Sequence, residues 1–250
     1  MTPKPFVLIP PSEAKTEGGS LAMRMGEFDQ ALGDARRQVI AALATLVASD
    51  SSTGWEKVLQ VRGPLLDRAL NAMGHLINGN APLMPAWRRY SGVVWAHLDA
   101  TNLTPAQRRR LLVPSGLYGV TTGSDLIADY RLKMDVALSP LGGLAHYWRP
   151  HVTLALAEYL KGSVVVNLLP KEHGSSIDWL ELGENCQIVN VSFLQADGRG
   201  AAGHGAKAVK GVVARAIVEE GLAALDGLRW EGWHSRRTKD DILIVAPPVK

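Results

Sequence analysis

The sequence predicts a single mixed α/β domain, and three observations support this fold class. Short apolar runs rich in β-branched residues alternate with segments whose apolar residues recur every three or four positions, as expected of strands interleaved with helices. The chain has 250 residues, 46% of them hydrophobic, which is enough for one large core. No linker, repeat or low-complexity tract divides it. The alternative organisation sets off residues 28–89 as a helical subdomain.

The first hundred residues predict one strand followed by helices. Residues 6–9 form an apolar run stopped by two prolines, which is typical of a buried strand entering a loop. Apolar residues recur at helical spacing over 28–48. A second helical region covers 55–76, with Pro64 as an interruption. Residues 90–98, rich in Val, Trp and Tyr, indicate a strand or a strand that leads into a helix.

The later elements alternate between helix and strand. Thr104 followed by Pro105 predicts the start of a short helix that ends near Pro114, because threonine caps helices and proline favours the first helical position. The elements beyond Pro114 are expected as a helix, two strands, a long helix and a closing pair of strands. In that order they cover 151–160, 163–169, 187–194, 204–225, 229–234 and 241–245.

Composition narrows the functional classes. The formal net charge is +3 and the pI is about 9.0, which suits an anionic partner but falls far short of a histone-like excess. The lone Cys186 excludes an internal disulfide and a multi-cysteine metal site, and it favours a reducing compartment. The histidines lack metal-ligand spacing, so no metal or cofactor is expected. With no signal-like N-terminal run and no stretch of roughly 20 apolar residues, we expect a cytoplasmic protein without a membrane partner.

The first candidate segment is the polar loop 11–19, directly after the first strand. Open α/β sheets place ligand groups at such strand ends. Ser12, Lys15 and Thr16 are suited to phosphate, the lysine as a point charge and the hydroxyls as donors. A solvated loop with a capping serine is the alternative.

The second segment joins a pair of glycines to a basic stretch. Ser115, Gly116 and Gly119 form a turn that permits close backbone approach to a partner, although a purely structural tight turn explains them equally well. Arg131 and Lys133 alternate, so in an extended segment they share one face.

The third segment is the glycine-rich run 198–207, which leads into the long helix. Free N–H groups at a helix N-terminus bind anions, but the run lacks the lysine and hydroxyl of a Walker A motif, which disfavours an ATPase. Lys207 and Lys210 share a helix face, and Arg215 brings a further cation near them. A solvated basic face is the alternative.

The fourth segment follows the strand at 163–169. Glu172 and His173 are candidate acid–base groups. Adjacent residues on a strand point apart, so we expect that they do not work as a pair.

Together these segments resemble the YaaA family, the bacterial peroxide stress response proteins. The run LIPPSEAKT at 8–16 is similar to the family's N-terminal signature, in the form of its actinobacterial branch. The run SGLYGV at 115–120, followed by YRLKM at 130–134, is similar to its most specific block. Further similarities occur in the same order: Tyr147 with Trp148, 165–168, Glu172, and 206–215. The resemblance implies a compact mixed α/β fold with a positively charged cleft, a role in limiting iron-driven oxidative damage, and DNA binding.

The leading hypothesis is therefore a cytoplasmic oxidative-stress protein that binds nucleic acid through a basic cleft. Tyr118 and Trp148 are the candidates for stacking on bases. The residues expected around phosphates are Ser12, Lys15, Thr16, Ser115, Gly116, Gly119, Arg131, Lys133, Lys207, Lys210 and Arg215.

The rival hypothesis is an enzyme that acts on a nucleotide or a related phosphorylated small molecule, by glycosidic cleavage or group transfer. Its catalytic candidates are Lys15, Tyr118, Glu172 and Lys207. A narrow, deep pocket ringed by Lys15, Tyr118, Arg131 and Lys207 favours the enzyme, whereas an open groove of duplex width favours DNA.

Overall fold

A twisted sheet lies at the centre of the computed structural model, which describes residues 4–20, 25–48, 52–238 and 241–247. The strands are β1 (Phe6–Leu8), β2 (Leu83–Pro85), β3 (Leu111–Ser115), β4 (Gly119–Thr122), β5 (Leu126–Ala128), β6 (Ala137–Leu138), β7 (Gly142–Gly143), β8 (Val164–Asn167), β9 (Gln187–Leu194), β10 (Arg229–Trp230), β11 (Trp233–Arg237) and β12 (Asp241–Val245). Within these described ranges the main sheet has eight strands in the order β10-β11-β12-β9-β8-β1-β3-β4. Strands β2 with β5 and β6 with β7 form two small antiparallel pairs.

The five central strands of the main sheet are parallel. Strand β1 pairs in parallel with β3 on one side and with β8 on the other, and β8, β9 and β12 continue in the same direction. Antiparallel strands flank this centre, with β4 at one edge and β11 and β10 at the other. The carboxyl ends of β1, β3, β8 and β9 therefore meet at one edge of the sheet, where open α/β sheets hold ligands.

Helices cover the sheet. They are α1 (Asp29–Ala48), α2 (Ser52–Leu59), α3 (Pro64–Ile77), α4 (Ala86–Arg89), α5 (Val93–Leu98), α6 (Pro105–Arg109), α7 (Leu144–Tyr159), α8 (Lys171–Gly174), α9 (Trp179–Gly183) and α10 (Gly203–Glu220). Short 3-10 turns occupy Ala100–Asn102 and Leu222–Leu225. Buried residues of α1 such as Leu32 and Val39 share one hydrophobic core with Val7 of β1 and Val165 of β8. The chain is a mixed α/β domain, as the sequence predicts.

Most predicted elements are confirmed. Pro64 interrupts the second helical region, since it begins α3 after α2 has ended. Thr104 caps α6 through a reciprocal pair of bonds: its Oγ1 accepts from the Gln107 N–H at 3.2 Å, and the Gln107 Oε1 accepts from the Thr104 N–H at 2.7 Å. Strand β9 has the predicted limits, Gln187–Leu194.

Several predicted boundaries are wrong. The helix expected to end near Pro114 ends at Arg109, and residues 111–115 form strand β3. The strand predicted over 229–234 is instead the hairpin of β10 and β11.

For residues 90–98 the second alternative, a strand that leads into a helix, holds in part. Tyr90 forms an isolated β-bridge with Lys15, and residues 93–98 form helix α5 because Val94, Trp95 and Leu98 face the core at helical spacing. Helix α7 begins at Leu144, seven residues before the predicted start, with Pro150 inside it. Pro150 lies in the second turn, where its missing N–H cannot bond to the His146 carbonyl.

Candidate functional site

A cleft of about 1000 Å3 opens at the carboxyl edge of the sheet. Its walls come from the loops after β1, β5 and β8, the turn after β3, the start of α5, the end of β9 and the first turns of α10. The fold therefore brings together segments that are distant in sequence. The volume lies at the upper end of the roughly 300–1000 Å3 typical of small-ligand pockets.

Charged side chains of both signs line the cleft. The cationic lining residues of the described chain are Lys15, Arg131, Lys133, Lys207 and Lys210, and the carboxylates are Glu13, Asp135 and Glu172. Five cations against three carboxylates leave an excess that suits an anionic ligand, and the interleaved carboxylates supply titratable groups.

Lys15 lies in the loop after β1, as predicted, and its amine is held between backbone and aromatic rings. Its Nζ donates to the Ser12 carbonyl at 2.8 Å and lies 4.2 Å from the centre of the Tyr130 ring and 5.6 Å from that of Tyr90. Burial lowers the pKa of Lys15 to about 7, although Asp129 opposes the shift. Near neutral pH this amine is therefore about half unprotonated.

The rings beneath Lys15 are fixed by a buried hydroxyl network. Tyr130 and Tyr90 share a hydrogen bond of 2.9 Å between their hydroxyls, and the Ser115 Oγ donates to the Tyr130 hydroxyl at 2.8 Å. Burial raises the pKa of Tyr130 to about 12, so the phenol stays neutral. Tyr130 stands in the YRLKM run but was not among the predicted site residues. Only its tertiary position under Lys15 distinguishes it.

A buried arginine holds the Lys15 loop in place. Arg89 is fully buried, and its Nη2 donates to the carbonyls of Gly18 at 2.9 Å and Pro82 at 3.0 Å. Its Nη1 donates to the Thr16 carbonyl, and its own carbonyl accepts from the Thr16 N–H at 2.8 Å. No periodicity or motif distinguishes Arg89 in the sequence. Thr16 is exposed and lies outside the cleft lining.

The turn after β3 positions the basic stretch. A Cβ on Gly116 would lie 2.6 Å from the Leu132 carbonyl and 2.8 Å from that of Lys133, so only glycine lets the two segments approach this closely. The Trp148 Nε1 donates to the Gly116 carbonyl at 2.8 Å, and the Trp148 ring packs against Gly119. The glycine pair thus acts within the fold to place residues 131–133.

Arg131 and Lys133 share a face, as their alternation predicts. Both contact Glu13: the Arg131 Nη2 lies 2.7 Å from Oε2 and the Lys133 Nζ lies 2.9 Å from Oε1. Burial acts to raise the pKa of Glu13, but the two cations outweigh it and lower the pKa. Glu13, which sequence reasoning did not single out, therefore partly neutralises the cations predicted to hold phosphate.

The N-terminus of α10 forms the opposite wall. Residue Ala202 provides no side-chain cap, and Lys207 and Lys210 line the cleft from the same helix face. The Lys210 Nζ lies 5.0 Å from the Phe193 ring centre. Burial lowers the pKa of Lys210 to about 8, with Lys207 adding to the shift and Glu172 opposing it.

Glu172 and His173 lie together on this side of the cleft. The expectation that they point apart is wrong, because they lie on the short helix α8 and not on a strand. The His173 Nε2 is 3.3 Å from the Glu172 Oε1. Burial lowers the pKa of His173 to about 4, so its imidazole is neutral at pH 7. Its Nδ1 is buried and has no hydrogen-bond partner among the described residues.

The structure does not bring every predicted residue to the cleft. Those lying outside its lining are Thr16, Ser115, Tyr118, Gly119, Trp148 and Arg215. The Tyr118 hydroxyl accepts from the Ala128 N–H at 2.9 Å behind Tyr130, and Trp148 is fully buried. Arg215 instead pairs with Asp99 at 2.8 Å. The predicted residues that do line the cleft are Ser12, Lys15, Gly116, Arg131, Lys133, Glu172, Lys207 and Lys210.

The described residues hold neither a metal-binding cluster nor a membrane-spanning helix. They contain no group of three or more His, Cys, Asp or Glu side chains placed to hold a metal ion. None of the described helices is long and apolar enough to cross a membrane.

Known proteins share this sequence over most of its length. The UPF0246 protein SCO2297 of Streptomyces coelicolor is 33% identical over 225 residues, covering 87% of this chain and 84% of that protein. The UPF0246 protein CE1889 of Corynebacterium efficiens is 31% identical over 85% of this chain and 84% of its own length. A UPF0246 protein of Phocaeicola vulgatus is 25% identical over 71% and 75%. The family described as peroxide stress protein YaaA matches residues 6–238, and the chain belongs to this family.

Proposed function

We propose that the cleft binds a phosphorylated ligand of the nucleotide class and acts on it chemically. The observation that carries this proposal is Lys15, a lysine in the cleft wall that lies over Tyr130 and whose pKa is lowered to about 7. A lysine that only holds phosphate needs a lasting positive charge. An amine that is half neutral near pH 7 is suited to act as a base or a nucleophile.

The wall opposite Lys15 supports the phosphate part of the proposal. Lys207 and Lys210 lie one turn apart on α10, beside an uncapped helix N-terminus. Free backbone N–H groups and the helix dipole favour an anion at that position. Neither lysine has a carboxylate within 4.0 Å among the described residues, so both are available to a ligand.

The Glu172–His173 pair supports the chemical part of the proposal. A neutral imidazole presents one N–H donor and one acceptor nitrogen, so His173 is suited to hydrogen-bond a reacting group. With a pKa of about 4 it is a weak base at pH 7. Glu172 contacts its Nε2 and also favours the charged form of Lys210, which couples the pair to the phosphate side.

Binding of a nucleic acid strand is the second candidate. The excess of cationic lining residues favours it, since phosphate contacts dominate such binding. The three interleaved carboxylates of the cleft favour the smaller ligand instead. The YaaA description makes peroxide stress the proposed setting, in the cytoplasm. The one cysteine, Cys186, is buried, which argues for an indirect role in that response and against sensing through a disulfide of its own.

Calorimetric titration with nucleoside monophosphates, diphosphates and inorganic pyrophosphate tests the first candidate. We expect saturable binding that Lys207→Ala and Lys210→Ala each weaken about tenfold, because a hydrogen bond to a charged group contributes ~1.5–3 kcal/mol. Lys161→Ala, which removes an exposed lysine outside the cleft, is the control. Mass spectrometry of the incubated nucleotides then reports products. The proposal is contradicted if none of the nucleotides yields a product, or if Lys161→Ala weakens binding as much as the two cleft variants do.

Fluorescence anisotropy with labelled single- and double-stranded DNA tests the second candidate. Binding through phosphates must weaken steeply as salt rises. Absence of binding at low salt, or binding that does not depend on salt, contradicts a nucleic-acid role.

A further inference from the structure

We propose that the Lys15 amine forms an imine with the open-chain aldehyde of a sugar phosphate, an inference that rests on the phosphate site of the proposed function. The substrate class therefore carries a carbonyl group for Lys15 and a phosphate for the α10 wall. Two sources offer this chemistry: a free pentose phosphate and the ring-opened sugar of an abasic nucleotide in DNA.

The contacts of Lys15 leave its amine available for reaction. Its Nζ makes one hydrogen bond, to the Ser12 carbonyl at 2.8 Å, and no described carboxylate lies within 4.0 Å of it. Lys133 in the same cleft differs, because its Nζ forms an ion pair with Glu13 at 2.9 Å. An amine can attack a carbonyl only after losing its proton, and the lowered pKa of Lys15 makes the neutral form abundant near pH 7.

The ring beneath Lys15 is placed to stabilise the product of this reaction. A protonated imine carries its positive charge on the former Nζ, 4.2 Å from the centre of the Tyr130 ring. An aromatic face attracts a cation at this distance. Because Tyr90 and Ser115 hold the Tyr130 hydroxyl, the ring does not have to reorganise when the charge forms.

The opposite wall supplies the phosphate contacts. Lys207 and Lys210 line the same cleft as Lys15, next to the uncapped N-terminus of α10. A ligand with an aldehyde at one end and a phosphate at the other therefore meets a nucleophile and an anion site within one cavity. The volume of about 1000 Å3 accommodates a sugar phosphate.

The step balances without an oxidant or reductant. The lone pair of the neutral Nζ attacks the aldehyde carbon and forms the C–N bond, while the carbonyl π pair moves to oxygen. That oxygen takes up the proton released from nitrogen and a second proton from solvent, and it leaves as water. The nitrogen lone pair then forms the second C–N bond, giving the protonated imine.

Reductive trapping tests the proposal on the full chain. The protein is incubated near pH 7 with ribose 5-phosphate and sodium cyanoborohydride, which delivers hydride to the imine carbon and leaves a stable secondary amine. Peptide mapping by mass spectrometry is expected to place the adduct on Lys15, and Lys15→Arg is expected to reduce total adduct about tenfold or more. Lys161→Arg is the matched control and is expected to react like wild type. An oligonucleotide with one abasic site forms the second arm, and the better trapped substrate identifies the source.

The outcomes separate this inference from the proposed function. Adducts spread over surface lysines, or undiminished in Lys15→Arg, overturn the inference. A third outcome is that ribose 5-phosphate binds in calorimetry, that Lys207→Ala weakens this binding, and that no adduct forms on Lys15. This outcome overturns the imine inference and supports the phosphate site. Absence of both binding and adduct overturns this inference, and the proposed function falls with it only if the nucleotides and pyrophosphate also fail to bind. Lys15→Met serves as a second variant, with circular dichroism as the check that each variant is folded.

Discussion

Replacing Lys15 with methionine removes a titratable amine from the cleft wall and keeps an unbranched side chain of similar length. Burial lowers the pKa of Lys15 from 10.5 to about 7, with Arg131 and Arg89 adding to the shift and Asp129 and Glu13 opposing it. The native state therefore holds this proton less tightly than the unfolded chain. We expect the Lys15→Met protein to be more stable than wild type near and below pH 7.

The sign and size of this effect follow from the pKa shift. Below about pH 7 both states of the wild type carry the proton, and the native state bears the full penalty. A shift from 10.5 to about 7 is 10.5 − 7 = 3.5 units, which at ~1.4 kcal/mol per unit sets an upper limit of about 5 kcal/mol. As the pH rises from about 7 towards 10.5, the unfolding free energy of the wild type increases relative to the variant by up to ~1.4 kcal/mol per pH unit.

Urea unfolding of both proteins at several pH values from about 6 to 9 measures this difference. Other groups that titrate in this range, such as Lys210, are present in both proteins and cancel in the comparison. Lys161→Met is the control, because Lys161 is exposed and lies outside the cleft. Parallel stability curves for wild type and Lys15→Met would refute the assignment of a lowered pKa to Lys15.

Three further substitutions test the packing and charge of the site. Gly211→Ala is expected to destabilise the fold by ~1–2 kcal/mol in urea unfolding, because the new Cβ would lie 2.2 Å from a backbone carbonyl of α5. This overpacking outweighs the ~1 kcal/mol that alanine gains in helix propensity. A variant more stable than wild type contradicts the prediction. Trp148→Phe is expected to lower the free energy of unfolding by ~1–3 kcal/mol, since it leaves the buried Gly116 carbonyl without a hydrogen-bond donor. An unchanged melting temperature would count against the Trp148–Gly116 hydrogen bond. Glu13→Gln is expected to raise the affinity for pyrophosphate ~2–5-fold in calorimetry, because Arg131 and Lys133 lose their ion pairs with Glu13. This gain in affinity is expected to shrink as the salt concentration rises. An unchanged affinity would show that the two cations do not face the ligand.

The fold class was predictable because its evidence is local. The spacing of apolar residues in each segment shows whether it is a helix or a strand and which of its faces meets the core. This spacing can be read from the sequence without knowledge of the tertiary contacts. Lys15, Arg131 and Lys210, which come from three distant segments, all line the cleft. The sequence left two alternatives for residues 90–98, because Val and Trp favour strands only weakly, and packing against α10 decides for helix over 93–98.

The sequence does not distinguish side chains that are buried in the core from side chains that line the cleft. Trp148 and Tyr118 stand in the same motifs as the cleft residues, yet the structure turns both into the protein interior. Glu13 and Arg89 carry no periodic signal. Glu13 forms ion pairs with two cations that were predicted to bind phosphate. Arg89 donates to two carbonyls of the Lys15 loop and to two carbonyls outside it, which fixes the loop on its neighbours.

Strands β2 to β7 were not predicted from the sequence, although β3 lies in the parallel centre of the sheet. The sequence by itself determined the α/β fold class and most of the segments that supply the cleft. Those properties depend on hydrophobic period and on residue types at strand ends. Only the tertiary structure decided the chemical state of the groups in the cleft. The pKa values of Lys15 and His173 depend on burial and on charges brought from distant segments, and a sequence does not contain those distances.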